Sequence, residues 1–399
     1  VANCLSISNP SHNSFEVHML SKGLLGAILI ALTSTSIQAQ KAPEYFRHLT
    51  FRESAFAPYK GIHPINAEQA KGAAHYRFEY DDKDRVKMLS HQIGDELIAD
   101  NGNWDTFIWF SPKVTIEYGK GKETHRYFNV DNVASEVHGK VYRAEYKLNA
   151  ENQRVSMHLF DKEGQPSLNA WGSNHYTWST DSEGRITEKR YDLNGKQVAI
   201  RPGFDFYEIR LDYDKNGLLM FMTNYGLDGK ITNNESGAAI DRIYYDQEGN
   251  FQRWSVFDKE RNPIEGNIPM VHIGEHLYDK HGNKVGMRGF NRYGEPINFS
   301  WGPFSVKKGY DKFANQNQVV NFSKPDVVFN TTNFEYTKDG LKRQWMKFVD
   351  TSGELISSPR LGGAAALEFH YEKGSKVATG RSRYNEELKP FVATGENSK

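Results

Sequence analysis

The chain has 399 residues, and its 50 Lys+Arg balance 50 Asp+Glu, which leaves no electrostatic footprint for nucleic acid or an anionic membrane. Mean hydropathy is low at −0.69, yet aromatic residues make up 13 % and glycine occurs 34 times. That composition excludes a disordered polar chain and favours short strands joined by tight turns.

Read from the N-terminus, Lys22 precedes an apolar stretch over 23–33, followed by small and polar residues to Ala39. A charged start, a short apolar run and a small residue at the cut describe a secretory signal peptide. The expectation is a start at Met19, cleavage near Ala39 and a secreted or periplasmic product, with residues 1–18 read as upstream sequence. The apolar run falls short of the roughly 20 residues a membrane helix needs. No later stretch is apolar for longer, so no transmembrane segment is expected in the mature chain. Cys4 is the only cysteine, so the residues after 40 can form no disulfide and no thiolate metal site. Residues 40–71 are expected to form an N-terminal cap and 72–399 a repeat array.

The repeat is the main signal. An aromatic-Asp-x-x-Gly element recurs as Tyr213-Asp214-Lys-Asn-Gly217, Tyr245-Asp246-Gln-Glu-Gly249 and Tyr278-Asp279-Lys-His-Gly282, with degenerate copies at Thr180 and Tyr310. From Thr180 to Tyr310 the steps are 33, 32, 33 and 32 residues. A glycine stands eight residues upstream of many anchors, as at Gly72, Gly172, Gly237, Gly302 and Gly363. A second aromatic turn follows 11 to 14 residues later, and four of these carry a proline six residues on: Pro166, Pro263, Pro296 and Pro390. About nine units fit between Gly72 and Pro390. The polar stretch 315–335 breaks the rhythm and reads as a loop insertion or a decayed, irregular unit.

Within a unit, Tyr207, Ile209, Leu211 and Tyr213 alternate with polar residues, the period of a half-buried strand. Asp then hydrogen-bonds its own backbone in the turn while Gly accepts a positive φ. A lone hairpin is marginal in water, so neighbouring units must share a buried aromatic face. The expected fold is all-β: an elongated antiparallel meander or solenoid of tandem hairpins of about 32–33 residues.

The Tyr-Asp-x-x-Gly turns, the Gly-Ala-Ala strand starts and the Gly-x-Pro turns resemble bacterial YD repeats of the RHS type over roughly residues 72–390. MORN-like and WG-type hairpin repeats share this architecture. RHS shells carry a toxin tip at their C-terminus, but here the repeats run nearly to Lys399, so the expectation is a repeat body without that domain.

Chemistry is sparse. The recurring Asp181, Asp192, Asp214, Asp246, Asp258, Asp279 and Asp311 read as turn caps; calcium finds no loop with the required ligand series. His272 and His276 sit on one strand face roughly 13 Å apart, too far to share a zinc, and read as exposed strand histidines. No nucleophile elbow, phosphate loop or zinc-protease sequence is present, so no catalytic residue, metal or cofactor is assigned. Trp171 and Trp301 occupy equivalent places ahead of the upstream glycine, and Trp178 and Trp254 join Trp104, Trp109 and Trp345 as flat surfaces able to stack on sugars. The functional expectation is an exported non-enzymatic repeat protein with a protein or glycan partner, and Trp171, Trp178, Trp254 and Trp301 as its binding residues. The alternative is a secreted hydrolase whose paired carboxylates the sequence does not single out.

Overall fold

A computed structural model describes residues 41–102, 111–202 and 205–391. The expected leader, its cut near Ala39 and Cys4 lie outside the described residues, as do Trp104 and Trp109. The described chain is almost entirely β: 25 strands, one four-residue α-helix, Ala67–Ala70, capped by Asn66, and one turn of 3-10 helix, Pro359–Leu361. All pairings are antiparallel, and each hairpin pairs with the next in chain order, so the sheet is one long meander. At its two ends, Gly61–Ile65 and Ala378–Tyr384 each pair with one strand, and the sheet does not close into a barrel.

Turn chemistry explains the regularity. In the turn after Tyr213, Asp214 Oδ1 accepts from the amides of Asn216 and Leu218, both at 2.8 Å. Gly217 closes the loop by donating to the Asp214 carbonyl, with φ at +76°, a conformation that costs glycine little. The ladder shifts register between Asp212 and Tyr213, so the extra residue is taken up as a bulge. The same caps recur at Asp246 and Asp279. The aspartates are therefore spent on backbone amides. Arg261 occupies the glycine position of one copy at φ +70°.

The second turn ends where proline pairs back, as in the bridges of Phe160 with Pro166 and Phe257 with Pro263. A third turn lies in the excursions around 169–173 and 234–238. Asn169 caps the first by accepting from the amides of Trp171 and Ser173, and Asn234 does so for Ser236 and Ala238. Successive excursions are tied together: Asn234 Nδ2 donates to Asn267 Oδ1 at 2.9 Å, and the Ser300 amide donates to Pro269 O at 3.1 Å.

Two expectations are corrected. Of the two readings of the polar region 315–335 the loop insertion is the one corrected: the region is two long paired strands, Gln316–Lys324 and Val327–Tyr336, with register shifts at Asn321/Phe322 and Phe322/Lys324. Its polar side chains satisfy each other across the ladder, Asn321 with Asn330 at 2.8 Å and Gln318 with Asn333 at 3.1 Å. His272 and His276 share a strand face, but they are buried, not exposed. Their Nδ1 atoms lie 2.8 and 3.0 Å from the carbonyls of Val256 and Phe251, which meets the need for a buried polar partner.

The ribbon also bends back on itself. His48 Nε2 meets the His281 carbonyl at 3.1 Å, Asn101 Nδ2 donates to Ala314 O at 3.2 Å, and Lys376 pairs with Glu96 at 2.6 Å. Units thus touch others more than two hundred residues away as well as their immediate neighbours. One face carries the core, with Tyr76, Phe78, Tyr127, Tyr146 and Tyr176 buried in a single cluster. Ala55 and Tyr59, which lie between the first two strands, belong to the same cluster. Glu44–Leu49 and Gly61–Ile65 continue the ribbon, while the stretch between them enters its interior.

Candidate functional site

Several strands place charge on the parity that faces the core. In Ile186–Tyr191 the buried positions are Ile186, Glu188 and Arg190, the last two 0 % and 1 % exposed. Such groups persist only when paired and hydrogen-bonded. Arg190 pairs with Glu188 at 2.7 Å, and Glu188 also accepts from Trp178 Nε1 at 2.8 Å and from the Ser54 hydroxyl. In Lys122–Phe128, Glu123 accepts from His125 Nε2 at 2.5 Å and from Arg154. Burial pushes the Glu123 carboxyl up, but the Arg154 cation and the His125 hydrogen bond outweigh it and hold it well below the usual range.

These groups grip the inserted stretch 50–60. Arg154 Nη1 donates to the carbonyls of Ala55, Phe56 and Ala57 at 2.9, 3.0 and 3.1 Å. Arg52 lies over the Tyr59 ring at 4.0 Å and its Nε donates to Ala57 O. At the other end Phe51 packs on Phe251 at 4.5 Å, and Glu53 pairs with Arg201 at 2.5 Å. The stretch therefore crosses the inner face from Arg154 to Phe251 without a ladder of its own.

Beside it the insertion leaves a cavity of about 330 Å³, at the lower end of the size range of small-ligand pockets. Phe51 and Glu53 form one side; Phe251, Trp254, Ile243 and Asp241 come from adjacent strands; Ile268, Pro269 and Trp301 come from two linked excursions. Arg201, Asn267, His276 and Lys284 complete the polar lining. Trp254 faces Gly274 across the ladder, and a Cβ there would fall 1.9 Å from the indole. Glycine at 274 is thus what seats the ring. Trp301 stacks on Phe299 with centroids 4.6 Å apart and remains 39 % exposed. Its turn is fixed to the preceding excursion by the Ser300 hydroxyl, which donates to Ile268 O at 2.5 Å. On its other side Trp301 borders an apolar groove of about 810 Å³ lined by Phe322, Phe334 and Phe348.

Asp241 is 7 % exposed, and its Oδ1 accepts from Asn267 Nδ2 at 2.7 Å. Burial pushes its carboxyl up to about 7; Arg201 opposes the shift and the neighbouring Glu53 adds to it. Glu53 is likewise raised by burial, against the pull of Arg201. The cavity thus holds two acidic groups that both resist ionisation, within aromatic walls.

The four indoles singled out in the sequence divide evenly. Trp254 and Trp301 line the cavity together. Trp178 is buried and bonded to Glu188, and Trp171 is half-buried with its ring edge-on to His138 at 4.1 Å. Tyr213, Asp214, Gly217, Tyr245, Asp246, Gly249, Tyr278, Asp279 and Gly282 sit at the hairpin turns. Sequence reasoning missed Glu53, Arg201, Asp241 and Asn267. Asp241 was findable, because it shares parity with Ile243 and Tyr245 in Ile240–Tyr245. Among the described residues no group of three or more His, Cys, Asp or Glu is placed to hold a metal, and no helix is long and apolar enough to cross a membrane.

No protein-family model and no curated protein matches the chain. Among solved structures it is similar to a TcdB2–TccC3–TEV crystal structure, at 10 % identity and a TM-score of 0.29, covering 80 % of this chain and 16 % of that one. It is also similar to the Tc holotoxin pore of Photorhabdus luminescens, at 11 % identity and a TM-score of 0.28, covering 87 % and 18 %. A porin-like protein from Bacteroides uniformis follows at 14 % identity and a TM-score of 0.19, covering 77 % and 87 %. The chain spans less than a fifth of the two toxin chains. At these scores the likenesses carry no argument, and the fold stands on the strand pairings themselves.

Proposed function

We propose that the protein is an exported, non-enzymatic β-repeat protein that binds a glycan in the cavity between its ribbon and the inserted stretch 50–60. The observation that carries this reading is the joint placement of Trp254 and Trp301 on one cavity with Glu53, Arg201, Asp241 and Asn267. Flat rings stack on the apolar faces of sugars while a few buried polar groups fix orientation. Export rests on the signal-like segment before residue 40, and N-terminal sequencing of the protein recovered outside the cytoplasm tests it, a start at Gln40 being the expected result. A glycan array with the purified protein tests binding. Retention of at least one glycan class, lost in Trp301→Ala, is the expected outcome; no retained glycan contradicts the reading. Because Trp301 sits on an exposed turn, its truncation leaves the fold in place, and an anchoring indole is worth about 2 kcal/mol or more.

A second reading is favoured by one observation, the acid pair Glu53 and Asp241 in the same cavity, both raised by burial. A carboxyl kept protonated near neutrality is what a glycoside hydrolase uses as its acid. Release of reducing ends from any bound glycan, abolished by Asp241→Asn, would favour the hydrolase; binding without turnover favours the binding protein.

A further inference from the structure

The charge arrangement around Asp241 narrows the ligand class, an inference that rests on the glycan-cavity reading. Among the described residues the cation whose charge acts on Asp241 is Arg201, which Glu53 engages at 2.5 Å. The side-chain hydrogen bond Asp241 does make is to a neutral amide, Asn267 Nδ2, whose own Oδ1 is taken by Asn234. Among the described residues Asp241 makes no ion pair. Lys284 also lines the cavity, but it starts the strand Lys284–Phe290 and pairs with Tyr278, near the Phe251 end. Asp241 pairs with Val256 instead, five residues or roughly 16 Å of strand away. His276 is engaged with the Phe251 carbonyl at that same far end. The near end therefore combines a buried carboxylate, whose facing cation Arg201 is engaged by Glu53, with the indole rings of Trp254 and Trp301, whose faces attract cations.

We propose that this end of the cavity receives a protonated amine, so that its ligand is an amino sugar with a free, un-acylated amine and Asp241 is its anionic anchor. The amine forms the ion pair that the protein leaves open, and the rings of Trp254 and Trp301 take the sugar faces. An N-acylated sugar brings a neutral amide that adds no countercharge to the carboxylate, so discrimination follows from charge as well as shape. Asp241 would then be ionised in the complex, and acidification that protonates it weakens binding.

The test is calorimetric titration of the purified protein with a glucosamine trimer and with its N-acetylated counterpart, at pH 7 and pH 5, alongside Asp241→Asn and Trp301→Ala. The inference expects the free amine to bind about tenfold or more tighter at pH 7. It also expects that preference to shrink at pH 5 and vanish in Asp241→Asn. The Asn variant keeps an acceptor for Asn267 and removes a buried charge, so it folds at least as stably as the parent, and lost binding cannot be put down to unfolding. Equal binding of both trimers, with Asp241→Asn silent and Trp301→Ala weakening both, overturns the inference and leaves the glycan cavity standing. Binding of neither trimer overturns the inference; if the glycan array also retains nothing, the glycan reading falls with it.

Discussion

Turn residues and buried charges set the energetics position by position. Arg261 holds φ at +70° where Gly217 and Gly249 hold +76° and +89°. A side chain pays about 1 kcal/mol in that region, partly offset by the entropy glycine loses on folding. Arg261→Gly is expected to raise stability by about 0.5–1 kcal/mol, and Gly217→Ala to lower it by about as much, measured by denaturant melts. Asp241 gives a pH signature. Its folded pKa of about 7 lies above the ordinary carboxyl value, so the folded state binds the proton more tightly than the unfolded one. The resulting stability is complete below about pH 4 and is lost as pH rises through 7. Asp241→Asn should therefore stabilise the protein more at pH 8 than at pH 5, by on the order of 2 kcal/mol, read from paired melts; an equal effect at both pH values contradicts the assignment. This residue was legible in outline, as an acid on the parity of Ile243, but its partners were not, because Glu53 and Arg201 come from distant, unpatterned stretches.

Hairpins were the most readable elements. Alternation in the Tyr207–Tyr213 run and the Asp-x-x-Gly turns is local information, and the structure spends those residues on local ladders and caps. Two elements were opaque for physical reasons. In 316–336 the buried-wet alternation is masked by asparagines and glutamines whose partners are each other across the ladder. The stretch 50–60 has no period because it makes no ladder; it is held by side chains from other strands. Arg154 is its principal clamp, bonded to three successive carbonyls and to Glu123. Arg154→Met is expected to cost about 3 kcal/mol or more by leaving Glu123 buried without its cation. Hydrogen exchange should then rise first at residues 52–58, ahead of the hairpins; uniform acceleration across the sheet would show that the clamp is not local.

At the scale of the whole array, repeat proteins whose units touch only neighbours lose stability unit by unit. Here Asp131 accepts from the Lys376 amide at 2.8 Å and from Ser375 Oγ, Asn101 bonds near Ala314, and the inserted stretch touches strands from Arg154 to Phe251. These contacts couple early units to late ones, so thermal unfolding is expected to be one transition by circular dichroism and tryptophan fluorescence alike; separate transitions by the two probes would refute the coupling. The same fold-back creates the cavity, since neither the ribbon nor the insertion encloses it alone. The most direct measurement of that arrangement is a crystal structure of the protein with the glucosamine trimer. The expected result is residues 50–60 across the inner face, a sugar ring against Trp254 or Trp301, and an amine within hydrogen-bond distance of Asp241. A ribbon without the inserted stretch, or a trimer bound elsewhere with the cavity empty, would contradict it.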